Sequence, residues 1–539
     1  VFGDGMQAVG ARTVAGARWE TLVAIVLAAA AAAAVVAFAP PGGDSAAHVY
    51  RTELLREGVA LWDNFWYGGQ YPLASYSLLY YLLAALFGNA LVVATAAVVS
   101  AALFASIAQR EWGEAARWPA RVFAVLAAGP LFTGTYSYAV GLAAALAALR
   151  LLQARRPLLA LVAAAASLGC SPLAFAFLVV ALLAVVAAGR PVTTRVAPVA
   201  AGLVGLAGLQ AAVIALFPSE GRYPFSPLSL AALLGVSSLG AALAFRSERG
   251  RLLGAFFVAW ALVGVVAFVV PSPFGDNLTR LRGVVFPLVL LAAALARFRP
   301  RWLALAALTF AFVYNLGPDV SALPKRMADA RTAEAAFWAP AVSFLEANAD
   351  ANHRVEVVPT FGHWEAYWIP RAGFPLARGW YRQLDIVANP ELYRSPLEPA
   401  AYHAWLRRMA VRFVLLPDAR LGPMGAEREA ELLRSDRAGV VARAQLPGWT
   451  VYEVPRATPL LTGPGRARVE VLEHERVVAR VSLVGTYHLR VRHTPYWSVA
   501  AGAACVERRE DGTTAVTVAA PGRIELTLEV RASDAACGS

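Results

Sequence analysis

An aspartate, a histidine and an arginine stand at Asp44, His48 and Arg51 in the stretch PPGGDSAAHVYR. On a helix this spacing places the three side chains on one face. A carboxylate and an imidazole so arranged have the donor types to share a proton or a divalent cation such as Mg or Mn. Asp44 also follows two glycines, as a helix N-cap does, and spacing alone supports both roles.

Two further groups carry polar chemistry. The segment SPFGDNLTRLRG holds Arg280 and Arg282, and an earlier one holds Glu220, Arg222 and Tyr223. Guanidinium pairs suit bidentate recognition of a phosphate, and attraction to anionic headgroups accounts for them equally well. Acidic residues near these positions are Asp63, Glu220 and Asp276, any of which could serve as a second acid. Aromatic residues crowd WDNFWYGGQYP, with Trp62, Trp66 and Tyr67, and recur in FGHWEAYW and ARGWYRQLD, with His363, Trp364, Glu365, Trp380 and Arg382. Aromatics beside hydrogen-bonding groups form carbohydrate pockets. They also form protein cores and, near a bilayer, interfacial anchors.

The elements that must position these residues follow from hydropathy. Of 539 residues, 58% are apolar and 16% charged, against about 45–50% and about 25% in an ordinary soluble domain. The excess lies before about residue 320. Residues 21–40 carry no charge over the length of a bilayer crossing and exceed the apolar core of a cleaved signal peptide. Further apolar runs at 89–108, 119–133, 137–152, 157–171, 173–189, 197–216, 229–245, 252–270, 282–297 and 302–316 predict about 11 transmembrane helices. Arginine clusters such as Arg110, Arg117 and Arg121, or Arg150, Arg155 and Arg156, mark the cytoplasmic ends of these runs. That bias predicts a cytoplasmic N-terminus and an extracytoplasmic C-terminal region. Residues 71–87 would break the parity if they crossed, and their tyrosines predict a helix lying at the outer interface within a long outer loop, 41–88.

After residue 320 the composition becomes that of a water-soluble protein. Helical spacing at 331–346 and 402–410 and short strands at 354–360 and 411–418 predict an α/β lobe over 321–456. From 457 to 539 strands follow one another with turns at Asp511-Gly512 and Pro521-Gly522, which predicts a small all-β sandwich. Cys505 and Cys537 fall there, where a disulfide is compatible with an oxidising compartment. The net charge of +12 is accounted for by arginines flanking the spans, and no nucleic-acid motif accompanies it. Neither a phosphate-binding glycine loop nor a dinucleotide fingerprint appears, so no nucleotide cofactor is expected.

A first span followed at once by an acidic residue, a long loop with a surface helix, many short spans and an exterior domain: this order resembles the GT-C class of membrane glycosyltransferases. More narrowly, PPGGDSAAHVYR, NFWYGGQYPLASYSLLYY and ARGWYRQLD resemble a family of membrane proteins labelled 6-pyruvoyl-tetrahydropterin-synthase-related. The GT-C resemblance implies outer-face transfer of a sugar from a polyprenyl-phosphate donor to a cell-envelope glycan, lipid or protein. Asp44 matches the family's catalytic acid, with His48 beside it for a metal in those members that use one. Arg280, Arg282 and Arg222 would then bind the lipid phosphate. A non-catalytic scaffold or glycan-binding protein is the alternative, and a lipid-linked glycan transporter a further one. A transporter would place ionisable groups deep in its spans, where these runs have almost none.

Overall fold

The computed structural model describes residues 3–74, 76–189, 196–218, 221–530 and 537. The chain divides into two compact units: Val1–Gly42, Ser75–Leu216 and Arg222–Pro324 form one, and Gly43–Ala74, Phe217–Gly221 and Lys325–Ser539 form the other.

The first unit is helical. All eleven apolar runs lie in helices, from Gly3–Phe38 to Arg301–Asp329. Among the described residues eight helical segments are long and apolar enough to cross a membrane, which makes this a multi-pass membrane protein by length and composition. The predicted spans 89–108 and 119–133 fall within one of these segments, Asn89–Thr133, and Pro157–Cys170 and Pro172–Ala187 are shorter. A crossing count of eleven therefore does not follow from the helices alone. Large apolar side chains such as Leu22, Val26, Leu158, Leu262 and Leu305 are exposed along the bundle, a surface that suits lipid and would be a liability in water. Helices approach closely where glycine removes a side chain. Gly141 meets Ser171 and Ala174, and Gly240 lies under the Phe257 ring.

Among the described residues of the predicted interfacial helix, 71–87, those up to Ala74 belong to the second unit and only Leu78–Phe87 is helical. Its ten residues rise about 15 Å, half the hydrocarbon thickness. The leucines, not the tyrosines, face outward. Leu78, Leu79, Leu82, Leu83 and Leu86 are exposed, whereas Tyr80 and Tyr81 are buried edge to face against each other. Amphipathic aromatics were expected at the headgroups; here packing takes them inward.

Among the described residues the second unit contains twelve strands. They are β1 (Arg354–Val357), β2 (Val411–Pro417), β3 (Val441–Leu446), β4 (Trp449–Glu453), β5 (Leu461–Thr462), β6 (Ala467–Glu473), β7 (Arg476–Val481), β8 (Gly485–Arg492), β9 (Trp497–Ala501), β10 (Ala504–Arg508), β11 (Thr513–Val518) and β12 (Gly522–Leu528). The first four make a mixed sheet in the order β1-β2-β4-β3. Parallel pairing of β1 with β2 demands a crossover, and the helices Glu365–Arg371, Arg382–Ala388 and Pro399–Arg408 supply it. Alternation along β2 sends Phe413 and Leu415 into one core, Val414 and Leu416 into another. The remaining strands form two four-stranded antiparallel sheets, β10-β11-β8-β5 and β6-β7-β12-β9. Tyr487, Leu489 and Val516 from the first meet Val477, Ile524 and Leu526 from the second, as in a sandwich. Cys505 and Cys537 are joined by a disulfide.

The stretch Gly43–Ala74 belongs to this second unit, although it precedes most of the membrane helices in sequence. Its helix Ser45–Arg56 packs Ala46, Ala47, Tyr50 and Leu54 into the core of the α/β lobe.

Candidate functional site

Asp44 stands at the N-cap position of the helix Ser45–Arg56, with φ −92°, and its side chain makes no capping hydrogen bond. The bare backbone geometry of a cap is present; the usual carboxylate contact to the helix amides is not. Asp44 is partly exposed. One turn on, His48 is buried, and Arg51 is buried with its guanidinium carbon 4.0 Å from the centre of the Tyr381 ring. The helix is held on its other side by Glu53, which accepts hydrogen bonds from Tyr367 Oη at 2.9 Å and Arg371 Nη1 at 3.3 Å. Asp44 is thus carried on a rigid support. Just before it, Gly42 has no room for a side chain, because a Cβ there would meet the backbone of Thr133 and Gly134 within the first unit.

The candidate phosphate-binding arginines, Arg222, Arg280 and Arg282, come from two segments of the first unit that are tied together. The Tyr223 amide donates to the Ser272 carbonyl at 3.1 Å. A Cβ on Gly275, whose φ is +35°, would lie 1.9 Å from the Tyr223 carbonyl oxygen. Arg222 is exposed beside this junction. Arg280 and Asp276 lie half-buried in the 3-10 turn Gly275–Leu281, and Arg282 opens the following helix. Arg282 Nη2 contacts Asp319 Oδ1 at 3.4 Å, with both side chains part-exposed. Asn315 donates to the Arg282 carbonyl at 2.5 Å. Asp319 was not expected from sequence: it lies past the last apolar run, and only a helix continuing to Asp329 brings it back beside Arg282.

The second-acid candidates diverge. Glu220 lies outside the described residues. Asp276 sits in the arginine segment. Asp63 is fully buried, and its carboxylate accepts from Tyr50 Oη at 3.0 Å, the Phe65 amide at 2.9 Å and His474 Nδ1 at 2.9 Å. Burial opposes protonation of His474, but the hydrogen bond and charge of Asp63 outweigh it and raise the imidazole pKa. Burial first, then Asp63, pushes the Tyr50 phenol well above its ordinary value. This is a closed structural knot with no exposed oxygen for an acceptor.

The aromatics expected to hold sugar are core residues instead. Trp62, Trp66 and Tyr67 are all buried. Trp66 stacks on Tyr50 at 4.6 Å and donates to the Ala366 carbonyl at 3.0 Å. Trp62 donates to Asn64 at 2.7 Å, and Tyr67 Oη accepts the Tyr381 amide at 3.0 Å. Phe65 and Tyr71 enter the sandwich core, Trp66 and Tyr67 the lobe core. The loop therefore packs lobe and sandwich together, which requires left-handed backbone at Tyr67, Gly68 and Gly69. His363 and Glu365 are also buried. His363 donates to Glu365 at 3.1 Å and lies flat on Trp380 at 3.5 Å, while Glu365 accepts from Thr360 Oγ1 at 2.7 Å. Trp364 is buried against Tyr367, and Arg382 alone of this group is exposed. One face of Trp380 is already covered by an imidazole, so it offers no open platform on that side.

Among the described residues no group of three or more His, Cys, Asp or Glu side chains is arranged to hold a metal ion. Asp44 and a buried His48 are a sparse set for Mg or Mn, which favour oxygen donors; no chemical step is routed through a metal below.

Two residues of the ARGWYRQLD motif, Arg378 and Asp385, anchor an ionic cluster that the sequence did not reveal. Arg378 is buried and grips Asp385 through Nε at 3.2 Å and Nη2 at 2.6 Å; Glu429 and Glu356 approach its Nη1 at 3.4 and 3.7 Å. Tyr393 and Asn389 donate to Asp385, and Tyr402 donates to Glu429. Three carboxylates face one guanidinium, and neither oxygen of Glu356 receives a hydrogen bond. Burial, with Glu429 next, raises the Glu356 pKa well above its ordinary value.

No family model matches the chain, and no curated protein does. Among solved structures it is similar to the arabinofuranosyltransferase AftD from Mycobacteria, with 15% identity and a TM-score of 0.43 over 81% of this chain and 41% of that one. This chain thus spans less than half of AftD. It is similar to the oligosaccharyltransferase of Archaeoglobus fulgidus in its apo form, with 13% identity, TM-score 0.44, and 74% and 69% of the two chains covered. A third is AglB of the same organism in complex with an inhibitory peptide and a dolichol-phosphate, with 14% identity, TM-score 0.40, and 74% and 70% covered. Likenesses this weak carry no functional argument, and the narrower kinship with the pterin-synthase-labelled family finds no support among them.

Proposed function

We propose that this chain is a membrane glycosyltransferase of the GT-C type, working on the outer face. It would move a sugar from a polyprenyl-phosphate donor to a cell-envelope acceptor. The observation that carries the reading is Asp44: a part-exposed carboxylate at the start of the helix Ser45–Arg56, with no side-chain capping hydrogen bond. In this reading Asp44 accepts the proton of the acceptor hydroxyl as the new bond to the anomeric carbon forms. The bond from that carbon to the phosphate oxygen breaks, and the lipid phosphate departs with the electron pair. Its growing charge is met by Arg280 and Arg282, with Arg222 from the adjoining segment. The activated donor supplies the driving force, so no nucleotide is required. Of the two described candidates for a second acid, Asp276 lies on the arginine segment and Asp63 is enclosed.

The full-length protein reconstituted with a polyprenyl-phosphate-linked sugar tests this. Asp44→Asn should reduce transfer by about 10²-fold or more with an unchanged melting temperature. Wild-type turnover in that variant would overturn the assignment.

A further inference from the structure

At the arginine-rich end of the first unit, the helices Asn89–Trp112 and Tyr136–Gln153 and the turn after the second border an open cleft of about 610 Å³. Four guanidinium groups line it: Arg110, Arg150, Arg155 and Arg156. No carboxylate lines the cleft. Arg150 is half-buried and fixed by a hydrogen bond from Nε to Ser106 Oγ at 2.9 Å. The turn puts Arg155 in the left-handed region, φ +58°, where glycine is the usual occupant. Gln153 donates to the Ile107 carbonyl at 3.5 Å, while its own side-chain oxygen is buried without a hydrogen-bond donor.

Arginines at helix C-termini are ordinarily explained by the helix dipole and by lipid headgroups in general. Neither explanation calls for four like charges around one cavity. Arg110, Arg155 and Arg156 are exposed and Arg150 half-buried, and together they concentrate positive potential at a place where an anion set among them is attracted to all four. The vacant acceptor on Gln153 asks in addition for a hydroxyl. We propose that this cleft is a discrete binding site for a phosphate group carried beside a hydroxyl, the chemistry of a glycerol-phosphate headgroup. The phosphate is held by Arg150 and Arg156 with Arg110 and Arg155 at the rim, and the hydroxyl donates to Gln153. The source is either a membrane phosphatidylglycerol or soluble glycerol phosphate. This proposal stands apart from the sugar-transfer reading, because it shares no residue with it.

The test uses the intact protein in nanodiscs and native mass spectrometry of retained phosphatidylglycerol. An Arg150→Gln/Arg156→Gln variant should retain at least tenfold less than wild type. An Arg246→Gln/Arg299→Gln variant, altered at arginines outside the cleft, should retain as much as wild type. Should the first variant not fold, Arg155→Gln/Arg156→Gln, changed only at exposed positions, takes its place. If free glycerol 3-phosphate binds with the same dependence on the cleft arginines while lipid retention is unaffected, the site is upheld with a soluble ligand. Equal loss in cleft and control variants, or a cleft variant that keeps both the lipid and the free glycerol 3-phosphate as wild type does, overturns it.

Discussion

A single indole shows how packing and chemistry compete for the same residue types. Trp66 is fully buried, stacked on Tyr50, and closed from behind by Gly379, where a Cβ would lie 2.5 Å from its ring. Trp66→Ala should destabilise the second unit by about 3–5 kcal/mol, measured by thermal or denaturant unfolding. A sugar-contacting tryptophan would instead change substrate affinity and leave stability nearly intact. Glu356 makes a second case. An acid whose pKa is raised by folding holds its proton after the unfolded chain has released it. Stability is therefore undiminished below the ordinary value of 4.5 and declines as pH rises from there toward the folded value. Glu356→Gln removes that liability. The variant should gain melting temperature over wild type as pH is raised from 4.5, with no gain below it; a gain independent of pH would contradict this account. The N-cap position of Asp44 was legible from the two glycines before it, whereas its role in transfer, and that of Arg280 and Arg282, belongs to the proposal. Trp62, Trp66, Tyr67, His363 and Glu365 were not legible, because aromatic and polar residues in alternation describe a carbohydrate pocket and a hydrogen-bonded core equally well. Arg378 was hidden for a related reason: its partners Glu356 and Glu429 come from separate elements that only the folded sheet assembles.

At the level of elements, the segments bearing Arg222 and Arg280 depend on one contact, the seat of Tyr223 against Ser272 and Gly275. Gly275→Ala would force the two apart. If the arginines bind the donor phosphate together, this variant should lose activity by up to about 10²-fold with a small change in melting temperature. Unaltered kinetics would mean that the junction is irrelevant to donor binding. The strands and helices of the C-terminal region were largely readable because period-two alternation and turn residues mark them, as in β8 and β11. The tyrosines of the short helix Leu78–Phe87 misled for the opposite reason. Composition says that an aromatic suits the interface, but only the helical phase decides which side faces it, and the phase gives that side to leucine.

Over the whole molecule, the disulfide between Cys505 and Cys537 offers a test of sidedness. Such bonds persist in oxidising compartments. If the sandwich is extracytoplasmic, protein isolated from cells under alkylating conditions should show no maleimide uptake at these cysteines until reduced. Immediate labelling without reductant would place that region on the reducing side. Apolar run lengths were readable along the first unit, but the number of crossings was not, since short helices such as Pro157–Cys170 satisfy hydropathy without settling what they traverse.

The knot around Asp63 has a consequence for how the protein is made. Asp63 meets His474, Asn64 meets the carbonyls of Glu473 and His474, and Gly68 accepts the Arg492 amide. Every one of these pairs joins a residue translated before most of the apolar helices to one translated after them. The ribosome must deliver the entire run of lipid-facing helices while this early segment waits with its indoles unsheltered. A fragment cut to begin after the last apolar helix would hold open the seam that residues 62–71 normally fill. Grafting 43–74 onto such a fragment is the route to a well-behaved soluble piece.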